Sequence, residues 1–190
     1  MCEAIKDVFQ IAAWCGGVAT ALLAVYQMKL NLRQRKEEVR WKVALQAKAL
    51  LDEVFKSPKA SSALRMLDWS GRKYNNEDGD IFVITKTEFK SYLRTDNLEF
   101  SPKEAYVRDC FDDLFSHLDM IEHYIKISLI LFDDVRVPFL YYVKIMQKNH
   151  VIFDNFLSFY GYGGTLDFLS RLQEWTTASD VSPGRASDAA

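Results

Sequence analysis

Apolar and polar positions recur with helical spacing along most of the chain. From Val8 to Met28 no residue carries a formal charge (VFQIAAWCGGVATALLAVYQM). These twenty-one residues form a helix about 31 Å long, which matches the ~30 Å hydrocarbon core of a bilayer. Gln10, Gly16, Gly17, Thr20 and Gln27 interrupt the run, so a buried helix of a soluble core is the competing reading. No glycine or proline occurs between Val18 and Ser57, and the helix is expected to continue to about Phe55. Val39, Val43, Ala47, Leu50 and Val54 fall at 3.6-residue spacing and predict a core-facing stripe.

Further helices are punctuated by their starts. Ser57-Pro58 is an N-cap followed by proline at the first helical position, with Leu64, Leu67 and Trp69 on the core side. Asn75 to Asp80 (NNEDGD) predicts a turn, and Ile81 to Ile84 reads as an extended link too isolated to build a sheet. Thr85 with Glu88 is a capping box for a helix through about Leu93, and Ser101-Pro102-Lys103-Glu104 combines a capping box with the N1 proline. In the helix that follows, Val107, Phe111, Leu114, Leu118, Ile121 and Ile125 form a bundle seam. Arg108, Asp109, Asp112, Asp113, Asp119, Glu122 and Lys126 form its solvated face. A helix from Pro138 to about Lys148 is expected to continue past a kink at Asn149 to Tyr160, and Thr165 opens a last helix through Trp175. The fold class is all-α: an N-terminal transmembrane helix continuing into a five- or six-helix cytosolic bundle. The expected domains are an anchor at 1–32, a cytosolic helical domain at 33–177 and a disordered tail at 178–190.

Composition sharpens this picture. Of 190 residues, 49% are hydrophobic and 14% aromatic, which suits a packed core rather than a disordered chain. A net charge of −2 lacks the basic surplus of a nucleic-acid binder. Bases are instead concentrated behind the apolar run: Lys29, Arg33, Arg35, Lys36, Arg40 and Lys42 stand against Glu37 and Glu38, six bases to two acids. The positive-inside rule then puts the N-terminus outside and the C-terminal domain in the cytosol of a cell (inner) membrane, single-pass. Lys29, Arg33, Arg35, Lys36 and Arg40 are candidate contacts to anionic lipid headgroups, or simply a topology signal. Ala12, Gly16, Thr20 and Ala24, with Ala13, Gly17 and Ala21 beside them, make small-xxx-small faces on which two membrane helices pack closely. Cys2, Cys15 and Cys110 are odd in number and widely spaced, so they form no disulfide framework or metal knuckle.

The candidate chemistry lies on the charged face. Asp113 and His117 are four apart, as are Asp119 and His123, and a carboxylate beside an imidazole holds a metal or passes a proton. The Glu-x-x-His of di-iron bundles is absent, because Leu114 and Met120 precede the histidines by three. The His-Glu-x-x-His of zinc peptidases is absent too. These four residues are weak metal candidates beside a plain salt-bridged surface. Gly161-Tyr162-Gly163-Gly164 lacks the Lys-Ser/Thr of a P-loop and reads as a helix C-cap. Phe153, Phe156, Phe159 and Tyr160 read as core, with part of the stripe left for a partner groove.

The order of anchor, basic stalk, Trp41 and Ala44, then Val107-Arg108-Asp109-Cys110-Phe111-Asp112-Asp113-Leu114, and finally Leu172-Gln173-Glu174-Trp175, resembles a broad family of small bacterial membrane-anchored helical proteins of unknown function. The likeness covers about residues 8 to 177; it implies a bacterial inner-membrane setting and carries no catalytic residues across. Function is expected to be that of a membrane-anchored interaction module (scaffold, sensor or regulator) with a protein partner or a homo-oligomer, without cofactor or evident catalysis. A membrane-directed toxin or defence effector, and a metal-dependent enzyme using the His117/His123 helix, remain the alternatives.

Overall fold

The computed structural model describes the backbone of residues 2–76 and 79–180, and the side chains of residues 20, 22–76 and 79–178. Two compact units divide the chain, Met1–Val43 and Ala44–Ala190. Helix α1 (Cys2–Lys56) is 55 residues long, as the absence of helix breakers between Val18 and Ser57 allows. Most of the segment assigned to the membrane, with Ala12, Gly16, Gly17 and Ala21, lies outside the residues whose side chains are described. Among the described residues no helix is long and apolar enough to cross a membrane. Thr20, Ala24 and the bases Lys29, Arg33, Arg35, Lys36 and Arg40 are exposed.

The apolar stripe of α1 becomes core later than its spacing predicts. Val39 is 60% exposed, Val43 half-buried, and only Ala47, Leu50 and Val54 are fully enclosed. Periodicity records which face a helix presents; only a packed neighbour buries it.

In the second unit α2 (Pro58–Asp68) packs against α4 (Pro102–Lys126), the helix at the centre of the core. Of the seam residues, Val107, Phe111, Leu114, Leu118 and Ile121 are buried and Ile125, at the end of the helix, is half-buried. Phe111 and Phe115 meet Phe153 and Phe156 at ring distances of 5.8 to 6.2 Å. Both capping boxes form, at Thr85–Glu88 for α3 (Lys86–Tyr92) and at Ser101–Glu104 for α4.

Three expectations are corrected. Ile81–Ile84 is strand β2, paired antiparallel with β1 (Arg72–Asn75) in the register Arg72↔Ile84 and Asn75↔Ile81. A four-residue hairpin is marginal alone, but Tyr74 and Ile84 are buried and Phe82 lies 5.8 Å from the Tyr106 ring, so the helices supply its support. The helix expected from Pro138 opens as a 3₁₀ turn (Val137–Phe139) and continues as α6 (Leu140–Gln147); a short α5 (Phe132–Val135) precedes it, and the interruption expected at Asn149 separates α6 from α7 (His150–Tyr160). Pro138 has no N–H to donate to a preceding turn, and Asn149, with φ −131°, ends α6. α2 and α3 stand where they were expected; the described residues hold eight α-helices, seven of them after α1, where five or six were expected. The last helix, α8 (Gly163–Asp180), runs past Trp175 into the stretch assigned to the tail, and residues 181–190 lie outside the described residues.

Candidate functional site

The acidic turns of α4 carry the candidate metal ligands, and tertiary packing has engaged their carboxylates. Asp113 accepts hydrogen bonds from the Ser57 hydroxyl and, at 3.0 Å, from the Ala60 N–H. It therefore caps the N-terminus of α2 from another helix, beside Ser57, whose own hydroxyl accepts from the same N–H. Asp119 does the same for α8, accepting from the Thr165 N–H at 3.1 Å while the Thr165 hydroxyl donates to the Phe115 carbonyl. The fit is close. A Cβ on Gly164 would lie 2.6 Å from the Asp119 carboxylate, so glycine is needed there for the approach. Gly161, at φ 79°, is the left-handed C-cap of α7.

The histidines hold no comparable place. His117 Nε2 stands 3.9 Å from Asp113, and His123 is exposed with its ring 5.8 Å from that of Tyr124. Among the described residues no three His, Cys, Asp or Glu side chains converge to hold a metal ion. Asp112 is half-buried and accepts from the Tyr162 hydroxyl at 3.3 Å; burial raises its carboxyl above the usual range.

Two charged residues read as solvated are in fact buried. Arg108 donates to the Tyr92 and Arg94 carbonyls at 2.7 and 2.8 Å and to the Tyr160 hydroxyl, and it stacks 4.1 Å from the Phe100 ring centroid. One guanidinium thus ties the segment after α3 and the end of α7 to α4. Glu122 is fully enclosed, with one oxygen 2.8 Å from Arg171 of α8 and the other without a hydrogen-bond partner. Burial raises its carboxyl above the usual range, with Arg171 opposing. Neither burial was legible in the spacing, because both residues sit at the border of the apolar seam, where neighbouring elements decide what is covered. The Cys110 thiol is buried, and its enclosure pushes it up to about 12, which makes it a poor nucleophile.

A half-open groove of about 290 Å³ lies between α6, α7 and α8. Its floor is Val143, Met146 and Phe153, and at its rim His150 turns Nδ1 to the Gln147 carbonyl at 3.2 Å. Of the aromatic stripe on α7, Phe153 and Phe156 are core, while Phe159 and Tyr160 are partly exposed. Comparison of the chain with protein-family models, with curated proteins and with solved structures finds no match.

Proposed function

We propose that the chain is a single-pass membrane-anchored interaction module, with residues near 8 to 28 in a bacterial inner membrane, the N-terminus outside and the helical domain in the cytosol. The observation that carries this reading is the surface of α1 between Lys29 and Trp41. Exposed bases (Lys29, Arg33, Arg35, Lys36, Arg40) alternate there with exposed large apolar side chains, among them Leu30, Leu32 and Trp41 at 71% exposure. A helix surface that mixes the two suits a polar–apolar boundary, where bases reach headgroups and an indole sits at the interface. The engagement of the α4 carboxylates in capping favours interaction over catalysis, and the partner is a protein or a further copy of the chain.

Topology labelling tests the reading. In intact cells a membrane-impermeant maleimide is expected to modify Cys2, while a C-terminal protease tag is cleaved only after lysis. Carbonate extraction should leave the protein in the membrane pellet. Release by carbonate, or labelling of Cys2 only after lysis, overturns the proposed topology.

A further inference from the structure

The hairpin and α2 enclose a cleft of about 400 Å³ that lies wholly within Ala44–Ala190. Its lining contains cations, hydroxyls and an amide but no carboxylate. On one wall Ser61 and Arg65 are four apart in α2 and so share a helix face. On the other, Lys73 and Asn75 are two apart in β1 and so share a strand face. The alternation of the ladder fixes which edge this is. Asn76 donates to the Asp80 carbonyl at 3.0 Å and Gly71 to the Ile84 carbonyl at 2.9 Å, so the backbone groups of Tyr74 turn towards β2 and those of Lys73 and Asn75 turn away from it.

Several hydroxyls of this cleft are already bonded, Ser57 donating to Asp113, Ser62 to the Pro58 carbonyl and Tyr106 to Ser62, whereas two of its cations are not. Arg65 and Lys73 are exposed, and neither side chain enters an ion pair among the described residues. Lys56, at the rim, is by contrast held by Asp52 at 3.0 Å. The cleft is also bordered by Ser57-Pro58, the start of α2. Tyr74, which lines it as well, has a buried hydroxyl with no hydrogen-bond partner among the described residues. Some bases of the domain are matched with acids, as Lys59 is with Asp109, Lys103 with Glu88 and Lys126 with Asp167. Other exposed bases, Arg72 and Lys86 among them, also enter no ion pair among the described residues; what sets Arg65 and Lys73 apart is that they line one concavity together with neutral donors and no carboxylate.

We infer that this cleft binds a phosphate monoester. A phosphate monoester carries close to two negative charges at neutral pH and three acceptor oxygens. Arg65 supplies a planar fork for two of those oxygens and Lys73 a point charge for the third. The Ser61 hydroxyl and the Asn75 amide are neutral donors at the sides. The shared chemistry belongs equally to a soluble phosphate ester and to a phosphorylated lipid headgroup. The inference does not depend on the anchor: a soluble form of the same domain would keep the cleft.

The full chain in detergent micelles, isotope-labelled, is titrated with glycerol 3-phosphate at low salt, with glycerol as the uncharged control. Amide shifts are expected to cluster at Ser61, Arg65, Lys73 and Asn75, and to weaken as salt is raised. The pair Arg65→Ala with Lys73→Ala should reduce affinity at least tenfold, about 1.4 kcal/mol or more. Lys86→Ala, which removes an exposed cation outside the cleft, should leave affinity unchanged. Both cleft residues are exposed, so circular dichroism should report an unchanged fold. A second arm uses vesicles of phosphatidylcholine with or without phosphatidic acid, and a chain in which Arg33, Arg35, Lys36 and Arg40 are alanine so that the collar does not mask the result. Binding of glycerol 3-phosphate alone assigns the soluble source, and added retention on phosphatidic acid that requires Arg65 and Lys73 assigns the lipid. Shifts scattered over the surface, or affinity indifferent to the double substitution in both arms, overturn the inference.

Discussion

Along α4, aspartates and histidines stand at matched positions, Asp113 four residues before His117 and Asp119 four before His123, yet the fold uses the two kinds of residue in opposite ways. Each aspartate reaches across to a different helix and accepts from an N–H of its first turn, Ala60 in α2, which Ser57 also caps, and Thr165 in α8. The histidines make no comparable bond: His117 is half-buried 3.9 Å from Asp113, and His123 is exposed. The difference teaches that an i, i+4 acid–imidazole pair is a shared face and not yet a site. A carboxylate is as useful to a helix N-terminus, with its unsatisfied donors and positive dipole end, as it is to a metal.

The strongest test removes the buried cation that closes the same helix from its N-terminal side. Arg108→Ala leaves two carbonyls and a tyrosine hydroxyl without their donor, and it is expected to cost about 3 kcal/mol or more in a urea titration. Next in size come the caps. Gly164→Ala forces the Asp119 carboxylate away and should cost about 1–3 kcal/mol. Asp113→Ala and Asp119→Ala should each cost about 1–2 kcal/mol. If either is neutral, tertiary capping is not what holds these carboxylates in place.

A smaller effect of opposite sign is expected at Glu122. Its folded carboxyl titrates above the usual value, so the stability linked to it is fully present below about pH 4.5 and declines as pH rises through the raised value. Glu122→Met removes the buried charge, while Arg171, partly exposed, keeps its water. The variant should be the more stable at pH 7, and its advantage should vanish in acid. The capping-box glutamates run the other way. Glu88, held mainly by its bond to Lys103, and Glu104, held mainly by the Ser101 backbone, both sit at about 2. Their stabilisation is present above about pH 4.5 and lost as pH falls towards 2, so Glu88→Gln with Glu104→Gln should flatten the acid limb of the stability curve. Smallest of all, His117→Ala and His123→Ala should lie within about 0.5 kcal/mol of the parent by the same titration. A larger loss at His117 would mean that its 3.9 Å approach to Asp113 supports the α2 cap.

The sequence by itself determined the helical class, the unbroken α1 and the caps. Local chemistry is enough for these: Ser57-Pro58, Thr85 with Glu88 and Ser101 with Glu104 satisfy donors within a few residues of themselves. It also determined the α4 seam, because a four-and-three spacing of large apolar residues has one way to be buried. Tertiary structure decided what local signals leave open. Whether Val39 is covered, whether Ile81–Ile84 finds a strand, and which of Arg108, Asp113, Asp119 and Glu122 meets water all depend on elements far away in the chain. The Asp119–Thr165 bond joins residues 46 positions apart, and the Asp113–Ala60 bond residues 53 apart. A charged side chain has the same appearance in sequence whether it faces solvent or an orphaned N–H, since its partner is supplied by packing and not by its neighbours in the chain.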